Sequence, residues 1–448
     1  MRHRLIFYFT FLLSVLSCSD FLDEKSDMKL AVPETVADNQ ALLDTGGFIN
    51  TQFASSGETS ADDFYLTDAD FAALGAEQDR RLYTWQPDYV AKPATEGNDW
   101  QNCYRTIYIC NTVLFNLADK KLTGSEADNV KGQALAVRAA RYLDAAQIWC
   151  LAYKGETASS LPGLPLRMDP DMNIPSTRAT LKETYNQIIN DLYAAIQLLP
   201  VKQVAVTRMS RSAAYGLLAR TYLFMGDYSK SLENALLAIG LLPNTLMDYN
   251  DIDYTKQYPI ADRNSEVLFW APMKYETHLI PAKIPLSVYS MYDDNDLRKK
   301  VFFNIGTSGE IFFKGYYSNA NGSACSVTMD ELYLIVAECY ARKNNSSEAL
   351  LFLNNLLKTR WRKETFIPFT VTSYPDPLQL ILLERRKELL LRGIRWPDLK
   401  RFNRDGAAIT LTRTVNGQTF TLAPNDLRYA VAIPEDVISL SGLQQNKR

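Results

Sequence analysis

Residues 217–228 read Leu217-Leu218-Ala219-Arg220-Thr221-Tyr222-Leu223-Phe224-Met225-Gly226-Asp227-Tyr228, and this stretch decides the fold. Leucine and alanine fall together, tyrosine follows three positions on, and Gly-Asp-Tyr comes next. Small residues let two helices approach each other closely. Glycine at 226 permits the tight turn between them, because it accepts a left-handed backbone without a steric cost. Beyond the turn, Ser231 and Ala235 stand where the second helix must pack closely. The spacing predicts two helices over Ala213–Ile239, ended before Pro243.

The pattern resembles a tetratricopeptide helix pair. A weaker copy follows at Val336, Ala337, Tyr340, Ala349 and Leu356, with Lys343 to Ser347 as its turn. Upstream, Asn102 to Leu117 reads as helix, carrying Ile107, Leu114 and Leu117. Ser125, with Asp128 three residues later, reads as the cap of a second helix. That helix shows Leu135, Ala139, Tyr142, Ala146 and Trp149 at helical spacing. Gly155 and the run 161–165 break it. Thr180 and Glu183 form a further capping box before the stripe Leu181, Tyr185, Ile188, Leu192 and Leu199, which stops at Pro200. About four such pairs are expected, and at least three units are usually needed to bury the faces of an array.

Residues 244–327 read differently. They are rich in Tyr, Asp, Asn and Pro, with a strand-like run at Val267–Trp270, and are expected to be loop-dominated and superficial. Asp376-Pro377 opens a helix expected to run through Leu391 and to stop at Gly393. Ile409–Thr414 and Gln418–Leu422 flank Val415-Asn416-Gly417, a strong hairpin signal. The expected class is therefore mainly α: helix pairs as scaffold, loop-rich segments and one small β-hairpin. The expected divisions are 1–17, 18–243 and 244–448, the last made of a loop-rich part (244–327), a helical part (328–403) and a hairpin with tail (404–448).

The N-terminus points to export. Arg2, His3 and Arg4 precede an apolar run from Leu5 to Leu16, about the length of a signal-peptide core and too short to span a bilayer. The run ends in Val15-Leu16-Ser17-Cys18, and a small residue before a lone cysteine resembles a bacterial lipobox. Lipidation of Cys18 would supply more than one acyl chain, as stable anchoring requires. The anchor would be lipid, since no later segment holds 18 uninterrupted apolar residues.

Composition removes several functions. The formal charge is −3, and loss of Arg2 and Arg4 with the signal takes it to about −5, which argues against nucleic acid and against a polybasic membrane surface. The 25 tyrosines suit carbohydrate contact, since each offers a flat face and a polar tip. They equally suit packed helices. Apart from Cys18, five cysteines remain (Cys103, Cys110, Cys150, Cys325 and Cys339). An odd count without CxxC spacing is neither a disulfide framework nor a zinc site, although one disulfide has room. Cys103 and Cys110 fall on one helix face and read as small buried hydrophobes. His278 is the one histidine outside the signal, too few for a histidine-rich metal site. No metal and no cofactor is expected.

Taken in order, five stretches resemble the SusD/RagB family. They are the lipobox with Ser19-Asp20-Phe21-Leu22; Arg138-Ala139-Ala140-Arg141-Tyr142 running on to Trp149; Thr328 through Tyr340; Glu384-Arg385-Arg386-Lys387-Glu388-Leu389 with Gly393 through Arg401; and Ala432-Ile433-Pro434-Glu435 with Gln445-Asn446. Two positions depart from the family pattern: Pro397, where an aromatic is usual, and Met329-Asp330, where an arginine-containing start is usual. The resemblance implies a non-enzymatic, outward-facing lipoprotein of the outer membrane. It would sit as a lid on a SusC/RagA-type TonB-dependent transporter, bind glycan and pass it inward. Peptide capture by the same kind of lid is the alternative. A surface glycoside hydrolase and a pure interaction scaffold are more distant ones.

A sugar ring presents C–H groups to a flat aromatic face, so the ligand surface needs exposed Trp or Tyr on loops. Trp85 and Tyr89 lie in a loop-like stretch with Asp88 nearby and Asn98 further on, and the resemblance places a glycan platform in this early region. Low aromatic exposure there, beside an acidic or apolar groove, would favour peptide. Tyr275, Tyr289 and Tyr292, with Asp293, Asp294, Asn295 and Asp296, form a second candidate patch; the acidic run reads as a solvated turn. Trp100 reads as a helix-start core residue. The Arg/Glu cluster from Glu384 to Asp398 reads as structural, with Glu384–Glu388 and Glu388–Arg392 at i,i+4 spacing.

Overall fold

The computed structural model describes residues 33–45, 47–88, 97–243, 246–274, 279, 281–317 and 322–448. In the first part α1 (Val36–Leu43), α2 (Ser56–Ser60), α3 (Asp68–Ala72) and α4 (Glu77–Tyr83) precede two long helices, α5 (Asp99–Asp119) and α6 (Ser125–Trp149). A two-stranded ribbon, β1 (Pro162–Pro165) and β2 (Arg178–Thr180), leads into α7 (Leu181–Leu198), α8 (Arg211–Met225) and α9 (Tyr228–Gly240). Each long helix packs on the next from α5 to α9.

The decisive stretch folds as its residues require. Gly226 caps α8 at φ 82°, and the N–H of Asp227 returns to the Tyr222 carbonyl at 3.0 Å. The Asp227 carboxylate then caps α9 by accepting the Lys230 N–H at 3.0 Å. Close packing of the pair is visible in one bond: Ser231 Oγ donates to the Ala219 carbonyl at 2.8 Å. The second pair, α12 (Met329–Arg342) and α13 (Ser346–Lys358), stacks directly on the first through α9 and α12, although the two pairs lie far apart in sequence.

Between the pairs come β3 (Val267–Phe269), α10 (Leu286–Tyr289), α11 (Arg298–Phe302), β4 (Phe303–Ile305), β5 (Ile311–Phe313) and β6 (Val327–Thr328). β3 pairs antiparallel with β6, and β4 with β5. This region is not merely superficial. Val301, Phe302, Phe303, Tyr316 and Tyr317 are buried and form a second core together with Phe64, Leu66, Tyr83, Leu390 and Leu391. The aromatic content that read as surface serves here to close a compact substructure without long helices.

The C-terminal part holds α14 (Leu378–Glu388), α15 (Arg395–Arg404), the hairpin β7 (Leu411–Val415) and β8 (Gln418–Leu422), and α16 (Glu435–Ser441). Asn416 and Gly417 take positive φ of 49° and 76°, as a two-residue hairpin turn demands. α14 ends earlier than expected, at Glu388, and Leu391 adopts φ 55° before Gly393 at 69°. The cap of α6 also differs: Gly124 stands at the cap position with φ 102°, and Ser125 is already helical. The Thr180–Glu183 capping box is formed in full. All five cysteines outside Cys18 are free, and Cys103 and Cys110 are fully buried on α5. No described helix is long and apolar enough to cross a membrane.

Charge is buried in quantity. Arg298, Arg360, Arg385 and Arg401 are at most 1% exposed. Arg298 meets Asp296, Glu384 and Glu388; Arg360 meets Glu266 and Glu388. Arg385 and Arg401 share Asp398, and Arg401 also pairs with Glu338. The Arg/Glu cluster is thus structural, as the sequence indicates, but its pairing is long-range. Glu388 closes α14, so Arg392 lies outside that helix and pairs with Asp330 of α12.

Candidate functional site

Neither sequence-predicted aromatic platform is exposed where it is described. Trp85 is 4% exposed, packed with Ala61, Trp396, Leu399 and Tyr429. Its indole N–H donates to the Ser60 carbonyl at 2.9 Å, and its own carbonyl accepts from Arg428. Its backbone sits at φ 51°, a turn that folds the ring inward beneath the hairpin. Asp88 is exposed and paired with Arg81, which holds its carboxyl below the usual range. Asn98 is buried because it caps α5, accepting the Gln101 N–H at 2.8 Å. Tyr89, Tyr275, His278 and Cys18 lie outside the described residues.

The second patch is closed as well. Tyr292 is 2% exposed and donates to the Lys387 carbonyl at 2.8 Å. Tyr289 is half-buried against Phe303, with the Lys299 ammonium 5.0 Å from its ring centre. Asp296 is not part of a solvated turn: it is fully buried between Arg298 and Lys387, and those cations hold its pKa down against its burial.

An aromatic wall does reach solvent elsewhere. Trp100, Tyr104 and Tyr108 stand at i, i+4 and i+8 on α5 and therefore share one face. Trp100 is buried and stacks on Tyr104, with ring centres 4.7 Å apart; Trp149 meets its edge at 4.9 Å. Tyr104 donates to the Pro165 carbonyl at 2.9 Å, and burial pushes its phenol well above the usual range. Tyr108 is 43% exposed. Opposite this face runs the segment from β1 to β2. Tyr142 fixes it twice, donating to the Arg167 carbonyl at 2.8 Å and accepting the Arg167 N–H at 2.7 Å. Asn111 adds a bond to the same carbonyl and is itself held by Arg138, whose fork grips Asp191.

The result is a groove of about 530 Å³ between α5, the 165–176 segment and the start of the C-terminal tail. Its wall carries Tyr104 and Tyr108, its rim Arg105, Arg167 and Asp169, and its outer lip Met172 at 78% exposure. Ser176 and Leu443 join it to a second groove of about 610 Å³, lined by Ser160, Thr177, Arg178 and residues 442–447. Asn98 lines the first groove, and among the described residues it alone of the expected ligand residues borders this site. Sequence reasoning passed over the wall. The i, i+4, i+8 aromatic spacing was legible, but it does not say which members a neighbouring element covers.

Comparison with known proteins is consistent along the chain. Residues 20–223 match the family model described as starch-binding associating with outer membrane, and residues 329–435 match the SusD family model. SusD-like protein P2 of Formosa agariphila is 24% identical over 477 residues, covering 90% of this chain and 91% of that one. The crystal structure of a SusD superfamily protein from Bacteroides thetaiotaomicron superposes with a TM-score of 0.73 at 20% identity, covering 92% of this chain and all of that one. Surface glycan-binding protein A of Bacteroides fluxus superposes at 0.70 with 18% identity, covering 92% and 99%. At these identities the structural likeness speaks for the fold.

Proposed function

The chain belongs to the SusD family, starch- or glycan-binding proteins associated with the outer membrane, and we propose that it is a surface lipoprotein that captures a glycan and hands it to a TonB-dependent transporter. Cys18 would carry the lipid, and the lid role on a SusC/RagA-type barrel follows from the family resemblance. The observation that carries the ligand reading is the exposed face of Tyr108, held on a long helix beside arginine and serine side chains. A sugar needs that combination: a flat apolar face for its C–H groups and fixed polar groups for its hydroxyls. Binding, not hydrolysis, fits the groove. Glycoside hydrolysis needs two carboxylates across one bond, and Asp169 is the one carboxylate lining either groove among the described residues.

Peptide capture is the second reading, favoured by the burial of Trp85 and by the exposed Met168 and Met172, which suit apolar side chains. One experiment separates the two. The mature protein is run through native gels containing single polysaccharides, beside Tyr108→Ala. Retardation by a polysaccharide, weakened at least tenfold in Tyr108→Ala, supports glycan capture at the groove. Retardation equal in both proteins keeps glycan capture and removes the groove. Binding to a peptide library with no retardation by any polysaccharide transfers the function to peptide.

A further inference from the structure

The cations of the two joined grooves are partnered differently from those of the buried network around Glu388. Most described arginines in the interior meet a carboxylate, as the network around Glu388 shows. Arg105, Arg167 and Arg178 meet none within 4.0 Å among the described residues. The Arg105 guanidinium carbon sits over the Phe48 ring, 3.4 Å from its centre, and its N–H groups have no hydrogen-bond partner among the described residues. Arg167 donates only to Ser176 Oγ, at 2.9 Å, and to the carbonyls of Asp171 and Ile174. Arg178 donates to the carbonyls of Gly163 at 2.9 Å and Gln444 at 3.0 Å, while its remaining Nη2 is buried with no partner. Burial lowers the Arg178 pKa, as expected of a cation whose charge no anion offsets.

Resting on the glycan reading above, we propose that the joined grooves select an anionic glycan, one whose sugar rings carry carboxylates or sulfates. Among the described residues three arginines and Lys447 line the grooves with Asp169 as the one carboxylate, in a chain whose overall charge is negative. A local positive strip on an acidic protein is a charge pattern for an acidic ligand. Arginine suits it better than lysine would, because its planar fork matches the oxygens of a carboxylate or sulfate. The aromatic wall beside the strip separates a sugar from a plain anion: Tyr108 can carry the ring while an arginine takes its charged substituent.

The test is isothermal titration of the mature protein against polygalacturonate, alginate, chondroitin sulfate and carrageenan, each beside its carboxyl-reduced or desulfated form. The expected result is binding to at least one anionic polymer and about tenfold weaker binding to its neutral form. Raising NaCl from about 0.05 M to about 0.5 M should weaken that binding about tenfold, since the charges are solvent-connected. Carboxylate and sulfate sources are told apart by which pair responds. Arg105→Gln, at an exposed position, and Arg178→Gln should each weaken the anionic polymer at least threefold, and by more than they weaken its neutral form. A charge-neutral but folded Arg105→Gln keeps the test valid if Arg178→Gln unfolds. Equal binding of charged and neutral forms overturns the inference and leaves glycan capture standing. Binding of poly-glutamate at the strength of the best polysaccharide overturns it in favour of an acidic peptide. Absence of binding to every polymer overturns the inference, and retardation in the native-gel panel then decides whether glycan capture stands.

Discussion

The two sets of arginines teach different things. Around Glu388 the guanidiniums are enclosed and paired with carboxylates, and the network ties α14 and Arg360, just beyond α13, to the 244–327 region. Along α5 and the C-terminal tail the guanidiniums stand at a groove and are anchored only by an aromatic face, a hydroxyl or carbonyls. The same side chain therefore holds the fold in one place and is left available in the other. Burial alone does not separate the two, since part of Arg178 is buried too. What separates them is whether an anion of the chain itself already compensates the charge.

The largest effect should come from breaking the saturated set. Glu388→Gln removes the shared partner of Arg298 and Arg360 and leaves two buried cations undercompensated, so chemical denaturation should show a loss of about 3–5 kcal/mol. A loss below 1 kcal/mol would erase the contrast. Trp85→Ala should destabilise to a similar degree, about 3–5 kcal/mol, by opening a cavity beneath the hairpin. Any folded Trp85→Ala should keep its ligand affinity, and selective loss of affinity with full stability would restore Trp85 as a ligand residue.

A smaller, pH-dependent effect tests another buried charge. Glu58 is 1% exposed, and burial, with Asp63 and Asp62 adding, pushes its carboxyl from the ordinary 4.5 up to about 8. Its folded pKa is therefore raised. Its stabilising contribution is complete below pH 4.5 and is lost as pH rises through about 8, because the folded state binds the extra proton. Thermal melts of Glu58→Gln should show less loss of stability than the wild type between pH 6 and 9; parallel curves would contradict this. Smallest of all, Arg105→Gln should change stability by no more than about 0.5 kcal/mol, as at an ordinary surface position. A larger loss would make Arg105 a structural cation like Arg360.

The scaffold was legible in the sequence because periodicity and capping are local. Gly226, Thr180–Glu183 and Asn416-Gly417 each do what their own chemistry requires. The 244–327 region was misread as superficial because its core is built from scattered aromatics with no period to detect. The site was harder still. Trp85 has the residue type and the turn-like surroundings of a ligand platform, and only the positive φ at Trp85 and the hairpin from 411 to 422 put it inside. Tyr108 carried no such signal. Its exposure depends on where residues 165–176 cross α5, a contact set by Tyr142 and Asn111.

The most direct measurement is a crystal structure of the mature protein soaked with an oligosaccharide of whichever polymer it retains. The account predicts sugar density on the Tyr108 face, between α5 and the 165–176 segment, with a charged substituent at Arg105, Arg167 or Arg178. Ordered sugar bound elsewhere on the molecule, with this groove empty, would contradict it.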